Sequence, residues 1–222
     1  MSCWRILIAL LMLSQIAMAE EELTAEQVVQ RWVKEQREHP VSQVKFSKIE
    51  RDRVFLRQTN RLGELTYTSE TSGQFRIVPW PSTMKPPSVW RRYELHEDES
   101  IFDMSWNEST VFLRAQDGTV QELSRPFRFF PWLEPTDFVE DGLPPVFPGP
   151  VSESRIAKFD WSIMKREPDS IWLRGIPKAK KEKSRYIPTW DAIIATDSWQ
   201  VRAVKKIDSN HNHETVMVIV RD

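Results

Sequence analysis

The sequence predicts a mainly β domain with one helix: an antiparallel sheet covered by an N-terminal amphipathic helix and by a central segment rich in proline and aromatic residues. Three observations predict it. Apolar and polar residues alternate in run after run, as in Phe102/Met104/Trp106, the pattern of half-buried strands. The runs recur every ~8–12 residues with short polar turns between them, the spacing of hairpins in a meander. Parallel order would need crossover helices, and the chain has no room for them.

The chain has 222 residues, 40% hydrophobic and 28% charged, with 6 Gly and 15 Pro. At ~150 residues per domain this is one domain or a small pair. The composition excludes collagen-like, low-complexity and disordered classes. Lys+Arg number 31 against 32 Asp+Glu, so the domain-wide basic field of a nucleic-acid binder is absent.

Residues 1–19 read as a secretory signal peptide. Arg5 supplies the positive start, Ile6 to Leu13 an unbroken apolar run, and Ala17-Met18-Ala19 the small-x-small cleavage pattern. The run is short of the ~20 apolar residues of a spanning helix, and no later segment approaches that length. Cleavage after Ala19 removes Cys3, the one cysteine, so disulfides contribute nothing to residues 20–222. That span is expected to be a single domain, periplasmic or secreted, and monomeric.

The helix comes first. Thr24-Ala25-Glu26-Gln27 is a capping box, Leu23 and Val28 stand at the staple positions, and Ala25, Val28, Val29, Trp32 and Val33 form one apolar stripe up to Pro40. Residues 25–38 are therefore expected as a helix needing a surface to cover. Strands are expected at 42–50, 53–60, 62–68, 74–78, 90–96, 100–105, 109–115 and 119–124, with turns at Arg51-Asp52, Ser72-Gly73 and Asp117-Gly118. Four prolines in residues 79–87 and seven in 126–150 forbid central strands there. The second cluster carries Phe127, Phe129, Phe130, Trp132 and Phe138, and a short helix is expected within 132–140. Further strands are expected at 155–163, 169–175, 187–196, 199–207 and 214–220, with a basic loop from Lys178 to Arg185. The last strand, Thr215 to Val220, is apolar on both faces and so is expected to be covered on both.

Three stretches carry a family resemblance. Gly63-Glu64-Leu65-Thr66-Tyr67 with Gly73-Gln74-Phe75-Arg76-Ile77 looks like a GE-x-x-Y … G-x-F/W-x-I/V hairpin. Ser170 to Lys178 is the second, and Asp191-Ala192-Ile193-Ile194 through Trp199, Ala203-Val204-Lys205 and Glu214-Thr215-Val216 the third. In this order they resemble the LolA-like superfamily of bacterial lipoprotein carriers, and more locally its secreted members of unassigned function. The resemblance implies a single curved sheet, a half-open β-barrel around helices, with an apolar cavity for acyl chains. The proline-rich centre departs from a dedicated carrier, and none of Arg51, Arg53, Arg57 and Arg61 stands out as the carriers' lid arginine.

Catalytic motifs are missing. The sequence holds no Gly-x-Ser-x-Gly elbow, phosphate loop, His-Glu-x-x-His or Gly-x-Gly, so no catalytic residue, metal or cofactor is expected. His211 and His213 have metal-like spacing, but Asn210-His211-Asn212-His213 reads more simply as a turn. Carboxylates at Glu134, Asp137, Glu140 and Asp141, or at Glu97, Asp98 and Glu99, read as solvated loops rather than a glycosidase pair.

The expected activity is therefore non-enzymatic binding of an apolar ligand, a lipid or acylated protein, in the concavity of the sheet. Phe46, Phe55, Tyr67, Phe75, Tyr93, Phe102 and Trp172 are expected on its wall, and Trp80 and Trp132 at its mouth. The alternative is an envelope interaction module with a filled core and no ligand cavity, its contact surface in residues 126–150. An apolar cavity of several hundred Å³ under the sheet points to the first. A sheet packed solid against helix 25–38 points to the second.

Overall fold

The computed structural model describes residues 22–69, 72–89, 91–107, 110–124, 147–149, 153–178, 189–208 and 210–220. Trp132, the expected helix within 132–140 and most of the basic loop lie outside them.

Helix α1 (Ala25–Glu38) begins where its cap dictates. The Thr24 hydroxyl accepts from the Gln27 amide at 3.2 Å and the Gln27 side chain accepts from the Thr24 amide at 2.6 Å. Its stripe Val28, Val29, Trp32 and Val33 is buried, as the spacing requires.

Twelve strands among the described residues form one sheet. They are β1 (Gln43–Asp52), β2 (Arg57–Ser69), β3 (Ser72–Pro79), β4 (Glu94–Leu95), β5 (Phe102–Trp106), β6 (Thr110–Arg114), β7 (Val120–Ser124), β8 (Phe159–Glu167), β9 (Ser170–Pro177), β10 (Thr189–Ala195), β11 (Val201–Ile207) and β12 (His213–Val220). A helical turn α2 (Glu153–Ile156) precedes β8. The order β7-β6-β5-β3-β2-β1-β12-β11-β10-β9-β8 is antiparallel throughout, with β7 and β8 as open edges. Short β4 pairs parallel to β2 beside Arg57 and Gln58, where β3 has already left the sheet.

One buried cluster joins α1 to residues of β1, β2, β3, β5, β6 and β9 to β12. Those strands laid flat would spread over roughly 40 Å. A helix is ~10–12 Å wide. One helix unites them only because the sheet curls around it.

Several expected boundaries move. Residues 53–60 do not form a separate strand. The Asp52 carboxylate accepts from the amides of Val54 and Phe55 at 2.8 and 2.9 Å, and Leu56 adopts a left-handed φ of 54°. The turn therefore sits at 53–56, Arg51 and Asp52 belong to β1, and β2 runs unbroken from Arg57. Ser72-Gly73 is not a turn either: both lie in β3, and Gly73 is buried under Trp106. Of the described residues of the expected strand 90–96 only Glu94 and Leu95 pair as strand. The expected strand 155–163 is instead α2 followed by β8. Finally, β12 is covered on one face only, with Val218 39% and Val220 46% exposed on the other.

Candidate binding site

Strand register sorts side chains onto two faces. On the inner face, turned to α1, the row Val44–Leu65–Phe75–Met104 crosses β1, β2, β3 and β5. The row Met217–Val204–Ala192–Leu173–Ile163 crosses β12 to β8. Phe46 stacks on Phe75 at 6.0 Å and meets Phe147 edge-on at 5.5 Å. These residues close on the helix stripe. A space of about 200 Å³ lies at the C-terminal end of α1, beside buried Gln36, Val44, Pro148 and Val201, and one of about 540 Å³ lies between α1 and α2, beside Val29, Val33 and Ile156. One group inside stays unsatisfied among the described residues: the indole N–H of Trp32, buried between α1 and the sheet, finds no hydrogen-bond acceptor there.

The sequence-expected wall is only partly brought together. Phe46 and Phe75 lie in the inner core, and Tyr67, half-buried, packs edge-on against Trp106 at 6.1 Å. Phe102 shares that face but stands at its rim, 40% exposed, with its ring 5.9 Å from Phe75. Three residues are not wall positions. Phe55 projects from the 53–56 turn and is 69% exposed. Trp172 alternates with inner-facing Leu173, so it sits on the outer face, donating to Glu167 at 3.2 Å. Tyr93 is buried in the strap that joins β3 to β5, away from the inner cluster. Trp80, also in the strap, lies over the outer face rather than at a mouth of the trough.

That strap organises the outer face. It leaves β3 at Pro79 and crosses β2, where the Ser88 carbonyl accepts from the Gln58 amide at 3.4 Å. Beneath it runs a buried polar chain. Arg51 donates to Glu214 at 2.6 Å and to Gln58 at 3.1 Å, and Gln58 donates to Asn60 at 3.0 Å. Arg53 adds a second bond to Glu214 at 3.0 Å. The sequence carried no signal for this chain, because Arg51, Gln58 and Asn60 alternate with inner residues as solvent-facing positions do. Next to it, the outer positions Leu62, Val78 and Val220 floor a groove of about 390 Å³ under Trp80 and Met84.

On β10, burial pushes the Asp191 carboxyl up, but the forked bonds from Arg174 at 2.7 and 2.9 Å and nearby Lys205 outweigh it and hold it below the usual carboxylate range. The histidine run is a turn: Asp208 accepts from the His213 amide at 3.0 Å and His211 has a φ of 59°. Among the described residues no three His, Cys, Asp or Glu side chains gather as metal ligands. No described helix is long and apolar enough to cross a membrane.

A single open antiparallel sheet curled around one N-terminal helix is the architecture that the resemblance to the LolA-like superfamily implies. By sequence, no family profile and no curated protein matches the chain. Among the solved structures similar to it are three bacterial proteins. LprF from Mycobacterium bovis is 11% identical with a TM-score of 0.44, over 89% of this chain and 91% of that one. A DUF1329 family protein from Desulfovibrio piger is 9% identical with a TM-score of 0.40, over 89% and 92%. A LolA superfamily protein from Nitrosomonas europaea is 6% identical with a TM-score of 0.38, over 90% and 92%.

Proposed function

We propose that this protein is an exported, non-enzymatic binding protein for an apolar ligand: a lipid, an acyl chain or an acylated protein. The inner face carries the reading. It presents rows of apolar side chains to a single helix, and it holds the Trp32 indole N–H with nothing among the described residues to accept it. A buried indole ordinarily finds a partner. A ligand carbonyl lying along the helix supplies one.

The same packing favours a second reading. The space beside Gln36 and Val44, about 200 Å³, is below the ~300–1,000 Å³ of small-molecule sites, and the 540 Å³ space beside Val29 and Val33 is lined by α1, α2 and Ala157 with no strand residue. With α1 seated as it is, the described residues form a filled core, as in an envelope interaction module without a ligand cavity.

Native mass spectrometry of the protein isolated from its own envelope separates the two. A retained adduct with the mass of a lipid supports the ligand reading. A bare polypeptide mass supports the module. The same spectrum tests export, since processing after Ala19 leaves a chain that begins at Glu20.

A further inference from the structure

We infer that the tip of the β1–β2 hairpin, Val54-Phe55-Leu56, inserts into the surface of a phospholipid bilayer. This goes beyond the ligand reading and stands on different residues, so either can fail alone.

Hairpin tips meet water and are ordinarily polar. The described turns elsewhere in this sheet follow that rule: Asp117-Gly118 between β6 and β7, Asp197-Ser198 between β10 and β11, and Asn210-His211-Asn212 between β11 and β12. The 53–56 turn breaks it. Val54, Phe55 and Leu56 are 60, 69 and 45% exposed. Leu95, paired beside Gln58 on β4, adds a fourth apolar side chain, 45% exposed. Adjacent exposed apolar residues on a projecting turn mark a contact surface.

Area and backbone chemistry commit that surface to lipid. The four side chains offer roughly 400 Å², about half of the ~800 Å² that each partner gives to a stable protein interface. The same shortfall holds for a second copy of this chain. A bilayer needs no matching contour and covers each side chain singly. It does require that the entering backbone be satisfied from within. The Arg53 amide donates to the Asn212 carbonyl at 2.8 Å, and the Val54 and Phe55 amides donate to the Asp52 carboxylate. The Leu56 carbonyl accepts from the Glu94 amide at 2.8 Å. These groups are spent inside the protein and are not offered to a partner strand.

Charge plays a small part. Arg53 is bonded to Glu214 at 3.0 Å, and the Asp52 carboxylate, besides holding the turn, lies 3.5 Å from His213. Arg57 lies over the Phe55 ring, 5.8 Å from its centre, and stands opposite Glu94 in register. Cations and anions match, so apolar insertion carries the contact and a neutral phosphatidylcholine surface suffices.

A dye placed on each end of the sheet tests this. Cys3 is the one cysteine, so a Cys3→Ser background takes a single environment-sensitive label. It is placed by Val54→Cys at the tip, or by Asp197→Cys in the β10–β11 turn at the opposite end of the strands. With phosphatidylcholine vesicles the tip label is expected to shift to the blue and to be quenched by a lipid-borne quencher. The Asp197 label is expected to emit as in water. In vesicle flotation Phe55→Asp is expected to weaken binding about tenfold or more, and Phe55→Trp to keep it. High salt is expected to change binding less than about twofold. Circular dichroism checks that both variants fold, and the labelled parent decides the matter if either does not. An unshifted tip label overturns the inference, as does an equal shift at both ends or release by salt. So does a dimer in sedimentation analysis that Phe55→Asp breaks. A bare mass from the envelope with a shifted tip label ends the ligand reading and leaves this one. A lipid adduct with an unshifted tip label does the reverse.

Discussion

Three strand glycines are each roofed by an aromatic ring from a neighbouring strand: Gly63 by Phe46, Gly73 by Trp106 and Gly175 by Trp161. The ring lies where a side chain would begin, which keeps a wide residue next to a null one on the inner face and lets the strands curl. A methyl at Gly63 drives into the Phe46 ring, which is already held between Phe75 and Phe147. Gly63→Ala is therefore expected to destabilise by about 1–3 kcal/mol, read as a lower denaturant midpoint with an unchanged slope. Glu214 behaves differently. It is the acceptor for Arg51 and Arg53, and Arg51 is itself buried. Glu214→Gln takes from a buried guanidinium the carboxylate it is bonded to, a loss of about 3–5 kcal/mol. Trp32→Phe removes a donor that has no acceptor and keeps most of the ring, so equilibrium unfolding is expected to place it within about 1 kcal/mol of the parent.

At the level of elements, the helix start is set locally and the hairpins are set by their turns. Thr24→Ala removes the hydroxyl that holds the Gln27 amide, and thermal unfolding is expected to show a loss of about 1 kcal/mol. The 53–56 turn shows why run-reading fails at hairpin tips. Val54 and Phe55 have strand-forming side chains, but the Asp52 carboxylate captures their amides and turns the chain. Between β9 and β10 the Arg174–Asp191 fork couples register to charge. The Asp191 carboxyl titrates lower folded than unfolded, so its contribution is fully present above its unfolded value of about 4 and is lost as pH falls through the lower folded value. Acid unfolding of Asp191→Asn, compared with the parent, is expected to show a shallower decline of stability below about pH 4. A parallel decline in both would remove this pair from the account.

The molecule as a whole is an open sheet that can keep one helix covered only by curling. Its two edge strands are far apart in the strand order, so closure would have to come from outside the described strands. The curl divides the protein into a packed inner face and an outer face that is polar under the strap and apolar beside it. Removing the α1 stripe at one position, Val28→Asp, is expected to unfold the whole sheet cooperatively, because α1 joins strands of both halves in one cluster. A two-step transition, with β8 to β12 surviving, would show instead that the halves hold themselves.

The sequence by itself determined the helix with its cap, the strand meander, the antiparallel order and the apolar parity of Phe46 and Phe75. Each is written in neighbours a few residues apart, through capping geometry and the two periods of helix and strand. Which face an aromatic residue reaches, and whether it stays buried there, depends on contacts made far along the chain. Trp172 and Leu173 are adjacent in sequence and lie on opposite sides of the sheet, and no local pattern says which side α1 will take. The same holds for the strap. Trp80, Tyr93 and Asn60 acquire their surroundings only because β3 ends early and the chain folds back over β2. Tertiary structure alone set the helix stripe against the trough and left Val218 and Val220 on the outer side of β12 exposed, since curvature, not composition, decides how much of a sheet one helix can hide.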